Sequence, residues 1–446
     1  MVESQERPYA FGADEGNTLG VPSVTVRPPS GAGAGEVVLA APPSKSHALR
    51  ALTAAAVCGG GSLLGLSLPW PDDVRFFVSA LEQLGVPVTV LEDGVSIDGP
   101  MPRGGDPVTL NAGEGAAPAR FLLALGALAE RPVTVTGGGR LSARPMTPLL
   151  DALGALGATV DGGPGLPATV RGPLRGDRTI SVDGRVSSQF LSALLLIAPA
   201  IHGHVAFRTV GAQVSRPYLD LTRGVMSEAG VVVGDDLVVP ESGAYERSVF
   251  HVEADWSGAT ALLAAAPFLG RPVRVPSLNP NSHQPDRLFA SHLSGLGIHV
   301  SACGTDGVRV EGAVTCGGIF DLSDCPDAAP ALAAVGALAS EPVRVTGAAH
   351  LRHKESDRIA VLVHILRAAG VDAEAFDDGF EVTGPLAAAR GDPVPLSVHA
   401  DHRMAMAGAL LGLRRPVFID DAACVAKSFP GFFDQWPSGI EWGPPG

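Results

Sequence analysis

The stretch Leu81-Glu82-Gln83-Leu84-Gly85-Val86 decides the fold, because its pattern returns along the whole chain. Each copy is the end of an apolar helix, then a glycine, then a segment rich in β-forming residues. The later copies are residues 152–157, 226–231, 293–298, 366–371 and a degenerate 433–440. Their glycines, at positions 85, 157, 230, 297, 370 and 439, are 67 to 73 residues apart. This period indicates internal duplication, and each glycine is expected to end its helix in the left-handed conformation.

A second helix is expected before the glycine helix in most copies, for example over residues 46–58, 118–129 and 402–411. Short β-segments such as 86–90 and 231–233 follow the glycine. One such α/β unit is too small to bury its own apolar faces, so the copies must pack against one another. Three copies in each of two similar domains is the natural division. A solenoid is the alternative, although its repeats are usually shorter, about 20 to 50 residues.

Composition restricts the class of ligand. The chain has 446 residues, 46% of them hydrophobic and 17% charged, as in a globular protein. Its formal net charge of -14 argues against non-specific electrostatic binding of nucleic acid or of an anionic membrane. If the ligand is anionic, the positive field that binds it must be local.

Cysteine usage and the N-terminus indicate a cytoplasmic protein. The five cysteines are scattered and form no C-x-x-C pair, so neither a disulfide framework nor a cysteine zinc site is expected. The longest apolar stretch, around residues 191–200, is too short to span a bilayer. No secretory signal is recognised, and residues 1–35, rich in Gly, Pro and Ser, are expected to form a flexible extension.

Only three lysines occur in the chain, Lys45, Lys354 and Lys427, and each lies in a dense polar tract. Arginine occupies the other Lys or Arg positions. An isolated lysine therefore indicates a position that requires a compact ammonium group and where a forked guanidinium could not replace it. A compact ammonium acts as a point charge toward phosphate and can release a proton when its pKa is lowered. The alternative is that a few lysines survive by chance in an Arg-biased chain.

The polar tracts fall mostly where helices are expected to begin. Examples are Ser44-Lys45-Ser46, Ser187-Ser188-Gln189, Ser215-Arg216-Pro217, Asp324-Cys325-Pro326-Asp327, Lys354 to Arg358 and Asp401-His402-Arg403. Helix N-termini offer unpaired N–H groups and the positive end of the helix dipole, which suits phosphate or carboxylate. Any single serine there is better explained as a cap. Caps do not explain Lys45 with Arg50, or Lys354 with Arg358, on adjacent turns.

Two carboxylates add a second element to this pattern. Asp327 and Glu355 lie among cations, which should keep Asp327 ionised. An ionised carboxylate beside a substrate hydroxyl is a candidate general base. A structural ion pair is the alternative, above all for Glu355 beside Lys354. The histidines form no metal-binding signature, so no metal site is expected.

These tracts together resemble the 5-enolpyruvylshikimate-3-phosphate synthase family, from about residue 37 to residue 436. The matching stretches are Pro43-Ser44-Lys45-Ser46 with Arg50, Asp72-Asp73-Val74-Arg75, Arg144-Pro145 with Pro148-Leu149, Ser187-Ser188-Gln189-Phe190, Ser215-Arg216-Pro217-Tyr218, Pro326-Asp327-Ala328-Ala329, Lys354-Glu355-Ser356-Asp357-Arg358, Asp401-His402-Arg403-Met404-Ala405-Met406 and Lys427-Ser428-Phe429-Pro430.

The resemblance implies an α/β fold of two similar domains, each of three βαβαββ repeats, arranged as an inside-out α/β barrel with the active site in the cleft between them. One domain is expected over residues 36–43 and 254–446, the other over residues 44–253. Closing the two domains is expected to bring the tracts together and exclude water. We expect a monomer without cofactor, and no nucleic-acid or membrane partner.

The resemblance further implies two small-molecule substrates. The family transfers the enolpyruvyl group of phosphoenolpyruvate to the 5-hydroxyl of shikimate 3-phosphate and releases phosphate. Shikimate 3-phosphate is expected to contact Lys45, Ser46, Arg50, Ser187, Ser188, Ser215, Asp327, His350 and Lys354. Phosphoenolpyruvate is expected to contact Lys45, Ala116, Arg144, Gln189, Arg358, Arg403 and Lys427. Asp327 would take the proton of the attacking hydroxyl, and Glu355 or Lys45 would protonate the methylene carbon.

The chain departs from the family pattern at two places. The usual Gly-Thr-Ala-x-Arg segment is Ala116-Ala117-Pro118-Ala119-Arg120 here. Ala116 replaces a glycine that lines the phosphoenolpyruvate pocket, and its methyl group predicts reduced sensitivity to glyphosate, the family's herbicide inhibitor. His350 stands where many relatives have Asn, and it can still donate a hydrogen bond.

Three other functions remain open at this stage. One is the related UDP-N-acetylglucosamine enolpyruvyl transferase, which usually carries a catalytic cysteine; residues 111–120 contain none. Another is a non-catalytic paralogue that binds a phosphorylated metabolite. The third is an enzyme of the same type with a different acceptor in specialised metabolism.

Overall fold

The computed structural model describes residues 22–31, 33–240, 244–304 and 307–443. Within these residues the helices α1 to α11 are Lys45–Cys58, Asp72–Gln83, Ala116–Gly126, Thr147–Ala155, Gln189–Ile197, Pro217–Glu228, Trp256–Leu269, Phe289–Gly295, Ala329–Gly336, Arg358–Ala368 and His402–Gly412. The strands β1 to β23 are Val24–Arg27, Val37–Val38, Gly61–Leu64, Val88–Leu91, Gly94–Ile97, Val108–Asn111, Val133–Thr136, Thr159–Gly162, Ala168–Arg171, Arg178–Asp183, Val205–Val210, Val238–Val239, Ser248–His251, Val273–Pro276, His299–Ala302, Gly307–Glu311, Gly318–Asp321, Val343–Thr346, Asp372–Phe376, Gly379–Thr383, Val394–Leu396, Val417–Ile419 and Gly439–Trp442.

The strands of the described residues form six sheets. The sheet β6-β7-β9-β8 shows the common plan, in which β6 and β7 are parallel and β9 runs antiparallel to both β7 and β8. Its elements follow along the chain as β6, α3, β7, α4, β8 and β9. The sheet β17-β18-β20-β19 repeats this order with α9 and α10. Each of these two sheets with its helices is therefore one βαβαββ unit.

The repeated glycines end helices as expected in five of six copies. Gly85, Gly157, Gly230, Gly297 and Gly370 all have positive φ, between 80° and 104°. The left-handed conformation lets the chain leave the helix and turn into the next strand at no steric cost to glycine. The expectation is wrong for Gly439, which instead begins β23.

Two sheets take their first strand from the other half of the chain. β2 precedes α1 but pairs in parallel with β14, and β13 precedes α7 but pairs in parallel with β3. The chain therefore crosses twice between its halves, and the crossings lie side by side. Pro43 forms an antiparallel bridge with Ala254, and the Ser44 N–H donates to the Glu253 carbonyl over 2.8 Å. Such long-range pairing does not fit a solenoid, whose repeats contact only their neighbours.

The N-terminal extension is ordered over part of its predicted length. β1 lies between β22 and β23 and is antiparallel to both. Val24 and Val26 are fully buried, so a flexible segment up to residue 35 is wrong for these residues. The alternation Val-Thr-Val-Arg is the period-two pattern of a half-buried strand, and it outweighs the surrounding Gly and Pro. The rest of the expected extension that falls on residues 1–21 lies outside the described residues.

Three helices in each half are buried on nearly every face. α1, α3 and α5 contact one another in one half, and α7, α9 and α11 do so in the other. Their sequences are apolar almost all round, as burial on every side requires. Buried apolar side chains form two clusters, one from residues 24–39 and 256–436 and one from residues 48–252. No helix among the described residues is both long and apolar enough to cross a membrane.

Candidate active site

One cavity lies between the two halves, at the N-terminal ends of all six buried helices. Its lining is Lys45, Ser46, Arg50, Asp73, Ala116, Ala117, Arg144, Ser187, Ser188, Gln189, Ser215, Tyr218, Asp255, Ser257, Asp327, Lys354, Glu355, Arg358, His402 and Arg403. The residues that open α1, α3, α5, α7 and α11, and the turn before α9, all contribute. Converging helix N-termini and six Lys or Arg side chains, four of them outside α1, give the cavity a positive field in an acidic protein.

All three lysines lie in or beside this cavity, and none points into bulk solvent. The side chains of Lys45 and Lys354 are each 17% exposed and that of Lys427 is 8% exposed. Lys45 forms an ion pair with Asp73 over 2.9 Å. Lys427 lies in an adjoining space with Arg144 and donates to the Glu114 carbonyl over 2.8 Å. Lysine is therefore confined to the cleft, as its isolation in the sequence suggests.

Asp327, directly before α9, is surrounded by cations. Its Oδ1 accepts from Arg358 over 2.8 Å and lies 3.5 Å from Lys354 Nζ, and its Oδ2 lies 3.5 Å from Arg403. Burial disfavours the charged form, but the charges of Lys354, Arg403 and Arg358 outweigh it and hold the pKa of Asp327 well below its usual range. Asp327 is thus a carboxylate, able to accept a proton.

Glu355 lies where three cations from both halves meet. Its Oε2 accepts from Arg358 over 2.8 Å, while its Oε1 lies 3.3 Å from Lys427 Nζ and 3.5 Å from Arg144. Burial again opposes ionisation, and the three cations again outweigh it, so the pKa of Glu355 lies well below its usual range. Arg144 and Glu355 belong to different halves, so this pair bridges the two halves across the cleft.

Buried hydrogen bonds hold Arg358 and Arg403 in place in the half that contains α7 to α11. Arg358 donates to Asp401 from Nε over 2.9 Å and from Nη2 over 3.2 Å, and Asp401 caps α11 through the Arg403 N–H. Arg403 in turn donates to the carbonyls of Ser257 and Asp327. A forked guanidinium suits these rigid multiple contacts. Both side chains also line the cavity.

The other half, which contains α1 to α6, contributes polar groups to the cavity from α1, α5 and the turn before α6. Arg50 is buried, donates to Thr222 Oγ1 over 2.8 Å and to the Ser46 carbonyl over 2.7 Å. Burial lowers its pKa to about 10, so it remains charged at neutral pH. Arg120 donates to Ser187 Oγ over 3.2 Å and to Gln189 Oε1 over 2.7 Å and so positions both side chains.

The cavity brings together most of the residues that the sequence predicts for the site. Ser46, Arg50, Ser187, Ser188, Ser215, Lys354, Lys45, Ala116, Arg144, Gln189, Arg358, Arg403, Asp327 and Glu355 all line it. Lys427 lies in the adjoining space. His350 is not in the lining; it is buried, and burial and the Lys354 charge lower its pKa to about 4.

Sequence reasoning did not assign five polar residues that line the cavity. Asp73, Tyr218 and His402 lie inside tracts already recognised, so their positions beside known site residues were the available signal. Asp255 and Ser257 carried none, because Asp255 reads only as the cap of α7, where it accepts from the Gly258 N–H over 3.1 Å. No group of three His, Cys, Asp or Glu side chains in the described part of the chain could hold a metal ion.

The fold and the cleft define a protein that binds small polyanionic molecules between two related halves and has ionised carboxylates to exchange protons with them. Comparisons make this class specific. The family described as EPSP synthase (3-phosphoshikimate 1-carboxyvinyltransferase) matches residues 30–436. The chain belongs to this family.

Curated relatives and solved structures agree. The chain is 40% identical over 407 residues to the 3-phosphoshikimate 1-carboxyvinyltransferase of Methanoculleus marisnigri, covering 88% of this chain and 94% of the relative. It is 36% identical over 409 residues to that of Nostoc punctiforme, covering 89% and 94%. The fold is similar to the EPSP synthase structure from Acinetobacter baumannii, with a TM-score of 0.75 and 23% identity over 95% of this chain and 100% of that one.

Proposed function

We propose that the protein transfers the enolpyruvyl group of phosphoenolpyruvate to the 5-hydroxyl of shikimate 3-phosphate and releases phosphate. Its relatives carry the name 3-phosphoshikimate 1-carboxyvinyltransferase, which supports the proposal. The observation that carries the proposal is the placement of Asp327 and Glu355, two buried carboxylates of strongly lowered pKa, among cations at converging helix N-termini. The reaction needs this combination of anion binding and proton transfer.

The charge of the site fits the substrates. Together they carry two phosphates and two carboxylates, about five negative charges at about −1.5 to −2 per phosphate. We assign shikimate 3-phosphate to the side of the cleft with Ser46, Arg50, Ser187, Ser188, Ser215, Asp327 and Lys354, and His350 is near enough to feel the charge of Lys354. We assign phosphoenolpyruvate to Ala116, Arg144, Gln189, Arg358, Arg403 and Lys427, and Lys45 to both substrates. Burial of these cations strengthens each interaction with an anion.

Addition begins with proton removal from the 5-hydroxyl. Asp327 is ionised and accepts this proton as the hydroxyl oxygen bonds to carbon two of phosphoenolpyruvate. The methylene carbon takes a proton from Glu355 or Lys45, which gives a tetrahedral intermediate. Loss of a proton from the new methyl group and cleavage of the carbon–oxygen bond to phosphate then give the enolpyruvyl product and inorganic phosphate.

Glu355 can act as a general acid only after the substrates of the enzyme have bound. Without them, Lys427, Arg358 and Arg144 keep it ionised despite burial, so it has no proton to give. Bound phosphate and carboxylate groups add negative charge beside it and compete for Lys427 and Arg144. Both effects raise the pKa of a carboxyl group. Protonation of Glu355 is therefore coupled to substrate binding.

We further propose that the two clusters of buried side chains are the two domains of the family, residues 36–43 with 254–446 and residues 44–253, each an arrangement of three repeats around buried helices in the inside-out barrel. β1 adds residues 24–27 to the first of them. Lys427 and Arg144 contact the opposite half through Glu114 and Glu355, which supports a closed arrangement of the two. We expect the enzyme to act as a monomer in the cytoplasm.

Ala116 supports a further proposal, reduced sensitivity to glyphosate. It opens α3, is 4% exposed and lines the cavity. A methyl group at this place occupies volume that a glycine would leave to a ligand larger than phosphoenolpyruvate.

The deciding experiment follows phosphate release by the purified protein with phosphoenolpyruvate and shikimate 3-phosphate. Release that requires both substrates supports the proposal. Activity only when UDP-N-acetylglucosamine replaces shikimate 3-phosphate would assign the related transferase instead. Binding of shikimate 3-phosphate without any phosphate release would indicate a non-catalytic paralogue, and binding of neither acceptor would point to a different acceptor in specialised metabolism.

A further inference from the structure

Asp286 is a buried carboxyl group outside the cavity lining that the proposed mechanism does not use. It lies in a single 3₁₀ turn, Pro285–Leu288, directly before α8, and is 1% exposed. Its Oδ1 has no hydrogen-bond partner within residues 22–31, 33–240, 244–304 and 307–443. In the same residues no lysine or arginine nitrogen lies within 4.0 Å of its carboxylate oxygens, and Arg403 acts on it only from a greater distance. A buried carboxylate with neither a cation nor a full set of donors is costly, whereas a neutral carboxylic acid is not.

Tyr218 connects Asp286 to the proposed base. The Tyr218 hydroxyl lies 3.3 Å from Asp286 Oδ2 and 3.3 Å from Asp327 Oδ2. Tyr218 opens α6 in one half, whereas both carboxyl groups belong to the other, so this contact forms only when the halves are together. One hydroxyl carries one proton and can donate to only one of the two groups.

The polarity of this chain of hydrogen bonds follows from the surroundings of Asp327. Asp327 is a carboxylate held by Arg358 and Lys354, and it can only accept. The Tyr218 O–H therefore points to Asp327, and its oxygen lone pairs face Asp286. If Asp286 were ionised, the Tyr218 oxygen and Asp286 Oδ2 would both be acceptors and would face each other without a proton between them. A protonated Asp286 completes the chain, with its O–H donating to Tyr218.

The charged groups around Asp286 favour the protonated form when anions bind. Burial raises its pKa to about 6, and the negative charge of Asp327 acts in the same direction. The other groups that face it are Arg403, Ser257, Asp255, Tyr218 and Cys325. Arg403 lowers its pKa by charge, and the Ser257 hydroxyl lowers it as a nearby donor that does not reach hydrogen-bond geometry at Oδ1. Substrate anions in the cleft bring more negative charge and neutralise Arg403, which shifts Asp286 further toward the acid.

We propose that Asp286 is a positioning residue that takes up one proton from solvent when the anionic substrates bind, and whose O–H then fixes the Tyr218 hydroxyl on Asp327. The inference rests on the proposed function for the identity of the substrates. No covalent bond changes: the proton enters from solvent on binding and returns on product release. The result is a base held in one orientation only in the closed, loaded state.

The first test measures proton uptake. Calorimetric titration with shikimate 3-phosphate at about pH 7, in buffers of different ionisation enthalpy, gives the number of protons bound. Wild type is expected to take up more than Asp286→Asn, by as much as about one proton. Asp220→Asn, an exposed carboxyl change on the same helix as Tyr218, is the matched control and should equal wild type. Equal uptake by wild type and Asp286→Asn overturns the inference.

The second test uses turnover. The Asn amide can donate to Tyr218 as the neutral acid does, so Asp286→Asn should keep its kcat within about threefold, whereas Asp286→Leu loses about tenfold with little change in KM. In a Tyr218→Phe background the two variants should not differ. A folded Asp286→Asn that is as slow as Asp286→Leu overturns the positioning role, because a merely structural site would respond to both.

The two proposals fail in different ways. A wild type that binds shikimate 3-phosphate but releases no phosphate rejects the proposed function, and proton uptake on binding still decides on Asp286. A wild type that turns over without the extra proton uptake rejects only the role of Asp286. If shikimate 3-phosphate does not bind, an infrared titration of the protein with pH decides instead. Wild type should show the C=O band of a carboxylic acid that ionises near pH 6, and Asp286→Asn should lack this band.

Discussion

At the scale of single residues, Asp327 is the group on which the chemistry depends. Asp327→Asn keeps the shape of the side chain but removes the proton acceptor. We expect phosphate release to slow by about 10² to 10⁴, the usual contribution of a positioned base. Binding of shikimate 3-phosphate should persist, because Ser46, Arg50 and Lys354 remain. Initial rates and a binding titration measure the two effects, with Asp220→Asn as control, and a variant within tenfold of wild type would exclude Asp327 as the base.

A second residue-scale prediction concerns Ala116. Ala116→Gly removes one buried methyl group from the cavity wall and should tighten glyphosate inhibition by about tenfold or more, since one methyl group in a pocket changes binding by about 1–3 kcal/mol. The neighbouring Ala117→Gly is the matched control and should change inhibition less. Inhibition constants measured against phosphoenolpyruvate test this. Equal constants for wild type and Ala116→Gly would show that this methyl group does not limit the pocket.

At the scale of elements, the turn between β21 and α11 carries backbone strain. His399 and Ala400 have φ of 52° and 54°, directly before the Asp401 cap. A residue with a side chain in the left-handed region destabilises the folded state by about 1–2 kcal/mol, and a glycine there removes this strain. Glycine also makes the unfolded chain more flexible, which offsets about 0.5–1 kcal/mol of that gain. Ala400→Gly should therefore raise the free energy of unfolding by up to about 1 kcal/mol.

Chemical denaturation measures that change, and Ala388 provides the control. Ala388 is an exposed loop alanine without positive φ, so Ala388→Gly has no strain to relieve and should be neutral or slightly destabilising. A stability gain in both variants, or in neither, would mean that the turn before α11 stores no strain.

The same elements show what a sequence can predict here. The glycine period predicted six repeated units, because it depends on local backbone chemistry. The helix-start tracts together with the family resemblance predicted 14 of the 20 residues that line the cavity. The exchange of β2 and β13 was expected only from the family resemblance, through the domain bounds 36–43 with 254–446 and 44–253. Local sequence patterns do not predict it, since strands of two or four residues pair according to tertiary contacts. Nor could the meeting of Tyr218 with Asp286, which depends on how the halves close.

At the scale of the whole molecule, several histidines are buried in neutral form, which makes stability depend on pH. Burial lowers the pKa of both His47, beside the chain crossings, and His350 to about 4, and it also lowers the pKa of His402 well below its usual range. In the unfolded chain His47 and His350 each bind a proton at about pH 6.5, whereas in the folded protein they bind it only near pH 4. The stabilisation is complete above pH 6.5 and is lost as the pH falls toward 4.

We expect His47→Gln to flatten this acid limb of the stability curve. A shift from about 6.5 to about 4 corresponds to about 3 kcal/mol for His47. The variant should be less stable than wild type at pH 7, because it loses a fitted ring, but the gap should narrow by up to about 3 kcal/mol between pH 6.5 and pH 4. Thermal unfolding across this range measures the gap, and the exposed His299→Gln should run parallel to wild type. A constant gap for His47→Gln would show that protonation of this histidine does not oppose folding.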